Sequence, residues 1–372
     1  MSKRLICATS LGAAVALIAL ALPAAGQTAE KFTLLRMPDG HPDLQGTYDL
    51  ATMTPLERWP GDPPFLTKEQ AEVLQRTEAV RRAKTEGGDE PLPLNRAPPP
   101  VGGDTSEPKS YFELLEKRGG GAVGGYNRFW LNQGSAYNQV DGKIRTSIVI
   151  DPADGHVPPY NEAARKRLAA ARATPESTAH ERQDGVAAPP GAFDNPEQRP
   201  LSERCLLGFG STSGPPALPD YFYNDLHQIV QTPDHIMILS EMIHDARIVR
   251  MNAQHLPKSI RRWMGDSVGH WEDDTLVIDT TNFNDKTRFR GSTENLHVIE
   301  RITRVDDKTL LYRFTIEDPD TWDHPWTGEY TWPVTDKPIY EYACQEGNYA
   351  LGSILRGVRR QEAEEAAAQA KK

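Results

Sequence analysis

The sequence predicts a mainly β protein in which an antiparallel meander forms a barrel or a strongly curved sheet. Short β-branched and aromatic runs alternate with Asp, Gly and Asn turns through residues 227–344. The connections between these runs are short, which favours antiparallel neighbours. With 30 Pro, 29 Gly and only 38% hydrophobic residues, the composition indicates long ordered loops around a modest core, with few peripheral helices.

The N-terminal part of the chain predicts one short strand and one helix. An extended arm over 27–66 contains the strand, at 46–50. Thr67 and Gln70 then form a capping box, in which each side chain satisfies a backbone N–H of the other residue. This pattern predicts a charged helix over 68–85.

The strands begin with a hairpin and continue as a meander. Asp141-Gly142 is a strong hairpin signal between strands predicted at 126–132 and 144–151. Further strands are predicted at 226–231, 235–243, 246–251, 268–272, 275–281, 296–305, 309–317 and 338–344. A sheet of nine or ten strands removes its exposed edges when it closes, which is the reason to expect a barrel.

The domain organisation is expected to be simple. Residues 27–350 are expected to form a single β-rich domain, with Pro-rich arms at 86–108 and 152–200 that wrap it. A helix is predicted at 162–173 within the second arm. Residues 351–372 are rich in Glu, Ala, Gln and Lys and predict a polar helical tail.

The first 26 residues have the pattern of a secretory signal peptide. Lys3 and Arg4 are positive, residues 5–22 are apolar, and residues 23–26 provide the small side chains of a cleavage site. We expect a periplasmic or secreted chain beginning near Gln27, with no stable membrane insertion after cleavage. The alternative is an uncleaved membrane anchor.

Export changes the meaning of the cysteines. After cleavage only Cys205 and Cys344 remain, an even pair in an oxidising compartment, which predicts a disulfide. The alternative is two buried free thiols.

Three carboxylates alternate with apolar residues and so predict an unusual interior. Glu241, Asp279 and Glu300 each share a strand face with hydrophobic neighbours. An unpaired buried carboxylate costs several kcal/mol, so each needs a partner, water or a function. For Glu300 the candidate ion-pair partners are Arg145 and Arg247, and such a pair would leave nothing for catalysis.

Two patterns combine His with charged residues. His244-Asp245-Ala246-Arg247 could act as an acid/base pair beside an anion clamp, or be an ordinary polar turn. His297 and Arg301 share the strand face opposite that of Glu300.

The run from Trp263 to Trp271 combines stacking and hydrogen-bonding side chains, including Asp266 and His270. The two tryptophans could line a pocket for a ring or sugar, or fill the core around a structural turn.

The histidines raise the question of a metal, but their spacing fits no standard template, so we expect none. A serine hydrolase is also disfavoured, because the 210–214 stretch has Thr212 where a nucleophile elbow has Ser.

Several motifs resemble a widespread uncharacterised family of exported bacterial proteins. They are Trp263-x-Gly-Asp-Ser-x-Gly-x-Trp271 with its continuation to Asn284, Leu296-His-Val-Ile-Glu-Arg301, Asp318-Pro319 with Pro325-Trp326-Thr327, Pro42–Gly46 and Arg145–Asp151. The similarity covers most of the mature chain and implies one continuous exported domain. That family has no assigned reaction, so the resemblance supplies no catalytic residues.

The leading functional hypothesis is an exported protein that encloses a small amphipathic molecule, aromatic or carbohydrate. In its enzymatic form it is a hydrolase or lyase without a redox cofactor. The acid/base pair is then drawn from Glu300 or Glu241 with His244 or His270, and oxyanion stabilisation from Arg247 or Arg301. Ligand contacts are assigned to Trp263, Asp266, Trp271, His297 and Arg145.

Two other classes stay open: a lipocalin-like binding protein, and a structural or assembly factor of the cell envelope. An enzyme should bring a carboxylate and a His to one open space, whereas a carrier should pair off its charges. The formal net charge of −10 argues against nucleic acid as a partner. We also expect Glu300→Gln to leave folding intact while removing ligand turnover or binding.

Overall fold

The computed structural model describes residues 32–86, 134–172, 193–208, 214–219, 224–287 and 289–371. The predicted signal peptide, the strand at 126–132 and nearly all of the 86–108 arm lie outside these residues. The described helices are α1 (Lys68–Glu86), α2 (Glu162–Arg172) and α3 (Tyr349–Gln369). The described strands are β1 (Gly46–Asp49), β2 (Phe65–Leu66), β3 (Gln139–Val140), β4 (Lys143–Arg145), β5 (Val149–Asp151), β6 (Leu226–Gln231), β7 (His235–Ser240), β8 (Ala246–Met251), β9 (Asp266–Glu272), β10 (Thr275–Thr281), β11 (His297–Asp306), β12 (Thr309–Glu317) and β13 (Trp326–Pro333).

Ten strands form one strongly curved sheet, in the order β1-β6-β7-β8-β9-β10-β11-β12-β13-β5. Neighbouring strands are antiparallel except β8 and β9, which are parallel. The curvature brings the two sides together, because Tyr48 of β1 forms an antiparallel bridge with Val334, just after β13. The Thr335 N–H also donates to the Thr47 carbonyl at 2.9 Å. The predicted mainly β fold with a barrel or strongly curved sheet is confirmed.

Alternation along each strand fills the interior of this sheet with large side chains. In β11, Val298, Glu300 and Ile302 are all 0% exposed, while the residues between them are partly exposed. Six aromatic side chains from β1, β12 and β13 are also fully buried: Tyr48, Tyr312, Phe314, Trp326, Tyr330 and Trp332. Gly328 makes room for one of them, since a Cβ there would lie 2.2 Å from Cζ of Phe314.

A short loop over 214–219 covers the interior beside these aromatic residues. Its Ala217 is 1% exposed. The Ala217 N–H donates to the Tyr312 hydroxyl at 2.9 Å, and the Tyr330 hydroxyl donates to the Ala217 carbonyl at 2.9 Å. The two tyrosines are cross-strand partners, so this loop is held across the β12–β13 pair.

Local signals placed several elements correctly. The Thr67–Gln70 capping box is present, with the Thr67 N–H donating to Gln70 Oε1 at 2.8 Å and the Gln70 N–H to Thr67 Oγ1 at 3.2 Å. Asp141 and Gly142 turn with φ of 50° and 73°, joining β3 to β4. The predicted 144–151 strand is divided between β4 and β5, which belong to different sheets.

One strand prediction was wrong, and one strand was not predicted. Residues 338–344 are not a strand, because this segment is bound by side chains of the turn after β7. Trp326–Pro333 forms β13, which pairs with β12 along its length. The C-terminal helix begins earlier than the predicted residue 351. α3 starts at Tyr349, and the Asn348 side chain caps it by accepting from the Leu351 N–H.

Candidate ligand-binding cleft

A cleft opens where the only parallel strand pair of the described sheet separates. β8 and β9 are paired only at Arg250–Val268 and Met251–Gly269. The first half of β8 therefore diverges from the chain that leads into β9, leaving a cleft of about 510 Å³. Its polar lining consists of Asp245, Arg247, Arg261, Arg262 and Asn284, and its other lining residues are Leu206, Leu207, Ala246, Ile248, Trp263, Met264 and Gly265.

Arg247 connects the cleft to the barrel interior. It points inward from β8, is 5% exposed, and forms an ion pair with Glu300 through both terminal nitrogens, one of them at 2.8 Å from Oε1. The Tyr312 hydroxyl donates to the same Oε1 at 2.8 Å. Burial alone would lower the pKa of Arg247, but the Glu300 carboxylate raises it above its ordinary value. Arg247 is thus a fixed cation in the wall of the cleft.

Glu300 therefore has the ion-pair partner that sequence reasoning had considered as the alternative to catalysis. Both of its oxygens accept hydrogen bonds, and none of its surface is exposed. No histidine among the described residues lies within hydrogen-bond distance of it. The geometry makes Glu300 the group that holds Arg247.

Glu241 and His244, two other acid/base candidates, bind the C-terminal segment. Glu241 lies beyond the end of β7, and its carboxylate accepts the Tyr340 N–H at 2.8 Å. Burial raises the pKa of Glu241. The His244 Nε2 lies 2.7 Å from the Tyr340 carbonyl. Neither side chain lines the cleft. The expectation that Glu241 shares a strand face with its apolar neighbours was wrong, because β7 ends at Ser240 and Glu241 lies in the turn that follows.

The backbone between these residues and the cleft is strained. Ile243 and His244 have φ of 61° and 54°, in the left-handed region that β-branched residues rarely adopt. This corner turns the chain from β7 into β8, directly before Asp245 and Arg247. Strain of this kind persists only where surrounding contacts hold it, and it is frequent at binding sites.

A second polar cluster, which we call the outer-wall chain, lies on the outside of the sheet. It consists of Asp266, His255, Asp279, His297 and Glu317 in that order. The four successive oxygen–nitrogen distances are 3.2, 2.9, 2.9 and 3.0 Å. The prediction that Asp279 faces the core was wrong, because its carboxylate lies on the outside of the sheet and contacts His255 and His297.

Charges in the outer-wall chain stabilise one another. Burial would raise the pKa of Asp266, but the Leu256 N–H, His255 and Arg250 lower it. In the same way, His297 and His255 outweigh burial and lower the pKa of Asp279. Asp279 in turn raises the pKa of His297, against the effect of burial.

The structure places the other sequence candidates away from the cleft. His270 is exposed and Arg301 is half-buried, and both contact Glu272, at 3.2 and 2.6 Å. Trp271 stacks on His41 with ring centroids 4.8 Å apart, and Arg145 pairs with Glu329 at 2.8 Å. Of the proposed ligand contacts, only Trp263 lines the cleft.

The predicted disulfide is confirmed and lies next to the cleft. Cys205 and Cys344 are bonded, with Cα atoms 5.7 Å apart. The bond connects the C-terminal segment to the turn that carries Leu206 and Leu207. It therefore anchors one apolar wall of the cleft.

Sequence reasoning missed Arg261, Arg262, Asn284 and His255. The first three flank the tryptophan motif, at Arg261-Arg262-Trp263 and at the end of Asn282-Phe-Asn284, so the motif itself contained the signal. His255 lies in an irregular segment, and only the fold brings it to the sheet.

Among the described residues, no three His, Cys, Asp or Glu side chains are arranged so that they could hold a metal ion. None of the helices in the same ranges has the length and apolar character of a membrane span. No protein-family model, curated protein sequence or solved structure matches this chain.

Proposed function

We propose that this chain is an exported protein that binds a small amphipathic anion in the cleft between β8 and the 261–265 turn. The observation that carries the proposal is the position of Arg247, which lines the cleft while Glu300 holds it from the barrel interior. A guanidinium fixed in this way loses little conformational freedom when it binds a carboxylate.

The charges around the cleft favour an anionic ligand. Glu300 balances Arg247, and Arg261 lies 3.3 Å from Glu294, with further bonds to the Phe283 and Glu294 carbonyls. Arg262 is exposed and has no ion-pair partner among the described residues. Its charge is available to a ligand in a partly desolvated site, where a charge interacts more strongly than in bulk water.

The rest of the lining favours an apolar body on that ligand. Leu206, Leu207, Ile248 and Met264 supply aliphatic surface, and the half-buried Trp263 supplies a ring face. A volume of about 510 Å³ falls within the range of small-molecule sites. An aromatic carboxylate or an acidic sugar fits this combination, since both stack on an indole ring.

Acid/base catalysis in the same cleft is the second candidate. It is favoured by Asp245, which lines the cleft two residues before Arg247, directly after the strained Ile243-His244 corner. In a hydrolase or lyase, Asp245 would be the general base and Arg247 would stabilise an oxyanion. We expect Asp245→Asn to remove turnover and preserve binding if the protein is an enzyme, and to leave binding unchanged if it is a carrier.

The binding proposal is tested with two matched arginine variants. Arg262→Gln removes the free charge of the cleft, whereas Arg301→Gln removes a half-buried arginine that pairs with Glu272 on the outside of the same sheet. Affinities for a hydroxycinnamate, a galacturonate and the aromatic anion anilinonaphthalene sulfonate are measured by calorimetry or fluorescence. We expect Arg262→Gln to weaken binding about tenfold and Arg301→Gln to have no effect.

Equal affinity of the wild type and Arg262→Gln for every probe would reject the cleft as an anion site. Mass spectrometry of small molecules that co-purify with the native protein identifies the class of the natural ligand. An uncharged lipid as the dominant co-purified molecule would also contradict the proposal.

A further inference from the structure

The outer-wall chain joins one loop to four neighbouring strands. Its members from the sheet are Asp266 of β9, Asp279 of β10, His297 of β11 and Glu317 of β12. His255 alone comes from outside the sheet, from the connection between β8 and β9, which we call the 252–265 loop. Its ring bridges Asp266 and Asp279, at 3.2 and 2.9 Å.

The same point of the loop is held by further polar contacts. The Leu256 N–H donates to Asp266 Oδ2 at 2.8 Å, and Asn282 Nδ2 donates to the Leu256 carbonyl at 2.9 Å. Arg250 donates to the Gln254 carbonyl at 3.1 Å and to both oxygens of Asp266. His255 is thus at the centre of the attachment of the loop.

The far end of the 252–265 loop is the wall of the cleft. Arg261 to Gly265 line it, and the backbone of Arg262 is joined to the Asn282–Asn284 segment by two hydrogen bonds of 3.0 and 2.8 Å. The loop that carries Arg262 and Trp263 is therefore held at two points, by these backbone bonds and by the attachment at His255. The outer-wall chain and the cleft share this one connecting segment.

The hydrogen bonds of His255 require a protonated ring. Each ring nitrogen faces a carboxylate oxygen, yet a neutral imidazole has only one N–H. After loss of the proton, one nitrogen presents a lone pair to a carboxylate, and the contact becomes repulsive. The same holds for His297, which lies between Asp279 and Glu317 at 2.9 and 3.0 Å.

We propose that doubly protonated His255 fastens the 252–265 loop to the outer wall, so that the cleft is ordered while the ring donates to both carboxylates and loosens when the ring loses a proton. The part that concerns ligand affinity rests on the function proposed above. The charged groups that face His255 are Arg250 of β8, Asp266 of β9 and Asp279 of β10, with His297 and Glu317 of β11 and β12 reached through Asp279.

Hydrogen exchange of the full-length protein without ligand tests the fastening directly. Protection of residues 252–265, corrected for the intrinsic pH dependence of exchange, is compared at about pH 6 and about pH 9. We expect protection in the wild type to fall about tenfold. His255→Gln should be poorly protected at both pH values, and Asp279→Asn should behave in the same way.

His270→Gln is the matched control, because His270 contacts Glu272 on the outside of the same sheet and has no bond to the loop. It should keep the wild-type pH dependence. Equal corrected protection of the wild type at both pH values would overturn the proposal. So would a His255→Gln variant that retains the full pH dependence.

A second measurement separates this inference from the binding proposal. The affinity for anilinonaphthalene sulfonate is measured at the same two pH values, and we expect it to weaken at the higher pH in the wild type and in His270→Gln but not in His255→Gln. If exchange depends on pH while Arg262→Gln binds the probe as well as wild type, the fastening holds and the proposed function fails. If the probe binds through Arg262 with the same affinity at both pH values, the proposed function holds and the fastening of the cleft by His255 fails.

Discussion

The hydrogen-bond partners of Glu300 explain why a charged residue can sit at the centre of the barrel. Arg247 and Tyr312 occupy its oxygens, and Ser267 lies 3.5 Å from Arg247 Nη1. The pair therefore offsets its desolvation with several charge-assisted hydrogen bonds. Removal of one partner leaves the other charge buried and alone.

We predict that Glu300→Gln destabilises the protein by about 3–5 kcal/mol, because the Arg247 charge then has no counter-charge. Tyr312→Phe removes a neutral hydroxyl and should cost only about 1–2 kcal/mol. Urea denaturation of both variants and the wild type gives the comparison. Equal costs would show that the ion pair contributes little. The earlier expectation that Glu300→Gln leaves folding intact is revised by this pairing.

His227 is a second buried ionisable residue of the interior. It is 2% exposed and lies beside Trp332 at 5.8 Å between ring centroids. Burial, assisted by the charge of Arg247 and opposed by the Asp225 backbone, lowers its pKa to about 4. The folded state therefore contains the neutral ring at neutral pH.

This lowered pKa predicts acid sensitivity. Between pH 6.5 and about 4 the unfolded chain binds a proton that the folded chain does not, so stability falls as the pH falls through this window. The full loss is about 3 kcal/mol. In His227→Asn, the free energy of unfolding should change less over the same window, whereas His270→Gln should follow wild type. If the free energy of unfolding of His227→Asn falls with pH as steeply as that of the wild type, His227 is not the source of the acid sensitivity.

At this scale, the sequence predicted that Glu300 is buried and named Arg247 among its partners. Strand alternation was sufficient to predict the burial of Glu300, since that burial depends only on the alternation of residues within β11. The proposed role of Arg301 rested on the same alternation, which does not say which face lines a site, and that of His270 rested on the Trp263–Trp271 motif. The contact of His255 with Asp279 depends on the path of a loop, for which the sequence has no periodic signal.

Among the elements, the turn that carries Cys205 and the segment that carries Cys344 depend on each other. The disulfide, with the bonds of Glu241 and His244 to Tyr340, holds residues 340–344 against the barrel. These residues have no strand partner in the described sheet. Covalent and side-chain contacts replace the backbone ladder here.

We predict that Cys344→Ser lowers the free energy of unfolding by up to about 4–5 kcal/mol, since the bond closes a loop of 139 residues. It should also weaken probe binding, because Leu206 and Leu207 lose their anchor. Denaturant unfolding and fluorescence titration measure the two effects. As a control, Ser353→Ala changes an exposed residue of α3 and should alter neither. A variant with wild-type stability and affinity would show that the noncovalent contacts are sufficient.

Elements with short turns were predicted best. β6, β8, β10 and β12 have the predicted bounds. Asp-containing turns such as Glu272-Asp-Asp274 and Asp306-Asp-Lys308 mark where several of these strands begin or end. β13 was not among the predicted strands. The parallel β8–β9 pair was not foreseen either. Its long connection is irregular, so nothing local indicates the direction in which the next strand returns.

For the whole molecule, the seam between β1 and the end of β13 determines whether the sheet has free edges. Tyr48 is fully buried at this seam, where its hydroxyl donates to the Leu44 carbonyl and accepts from Arg304, both at 2.7 Å. It also forms the bridge with Val334. One residue thus joins the first strand, the last strand and β11.

We predict that Tyr48→Ala costs about 3–5 kcal/mol and opens the seam, whereas Tyr48→Phe costs about 1 kcal/mol and preserves it. An open seam exposes the free edge of β1, the last strand in the sheet order, which promotes association of chains. Urea denaturation and size-exclusion chromatography give both readouts. A Tyr48→Ala variant that stays monomeric, with the stability of Tyr48→Phe, would show that the seam does not protect the edge.

The bridge between Tyr48 and Val334 also has a kinetic consequence. Its two halves are far apart in sequence, so one edge of β1 stays unpaired during synthesis until Val334 has left the ribosome. Pairing at such sequence separation is slow, because loop-closure entropy is lost before the contact forms. During that delay the growing β-rich chain is vulnerable to misassembly, and a holding chaperone would raise its yield.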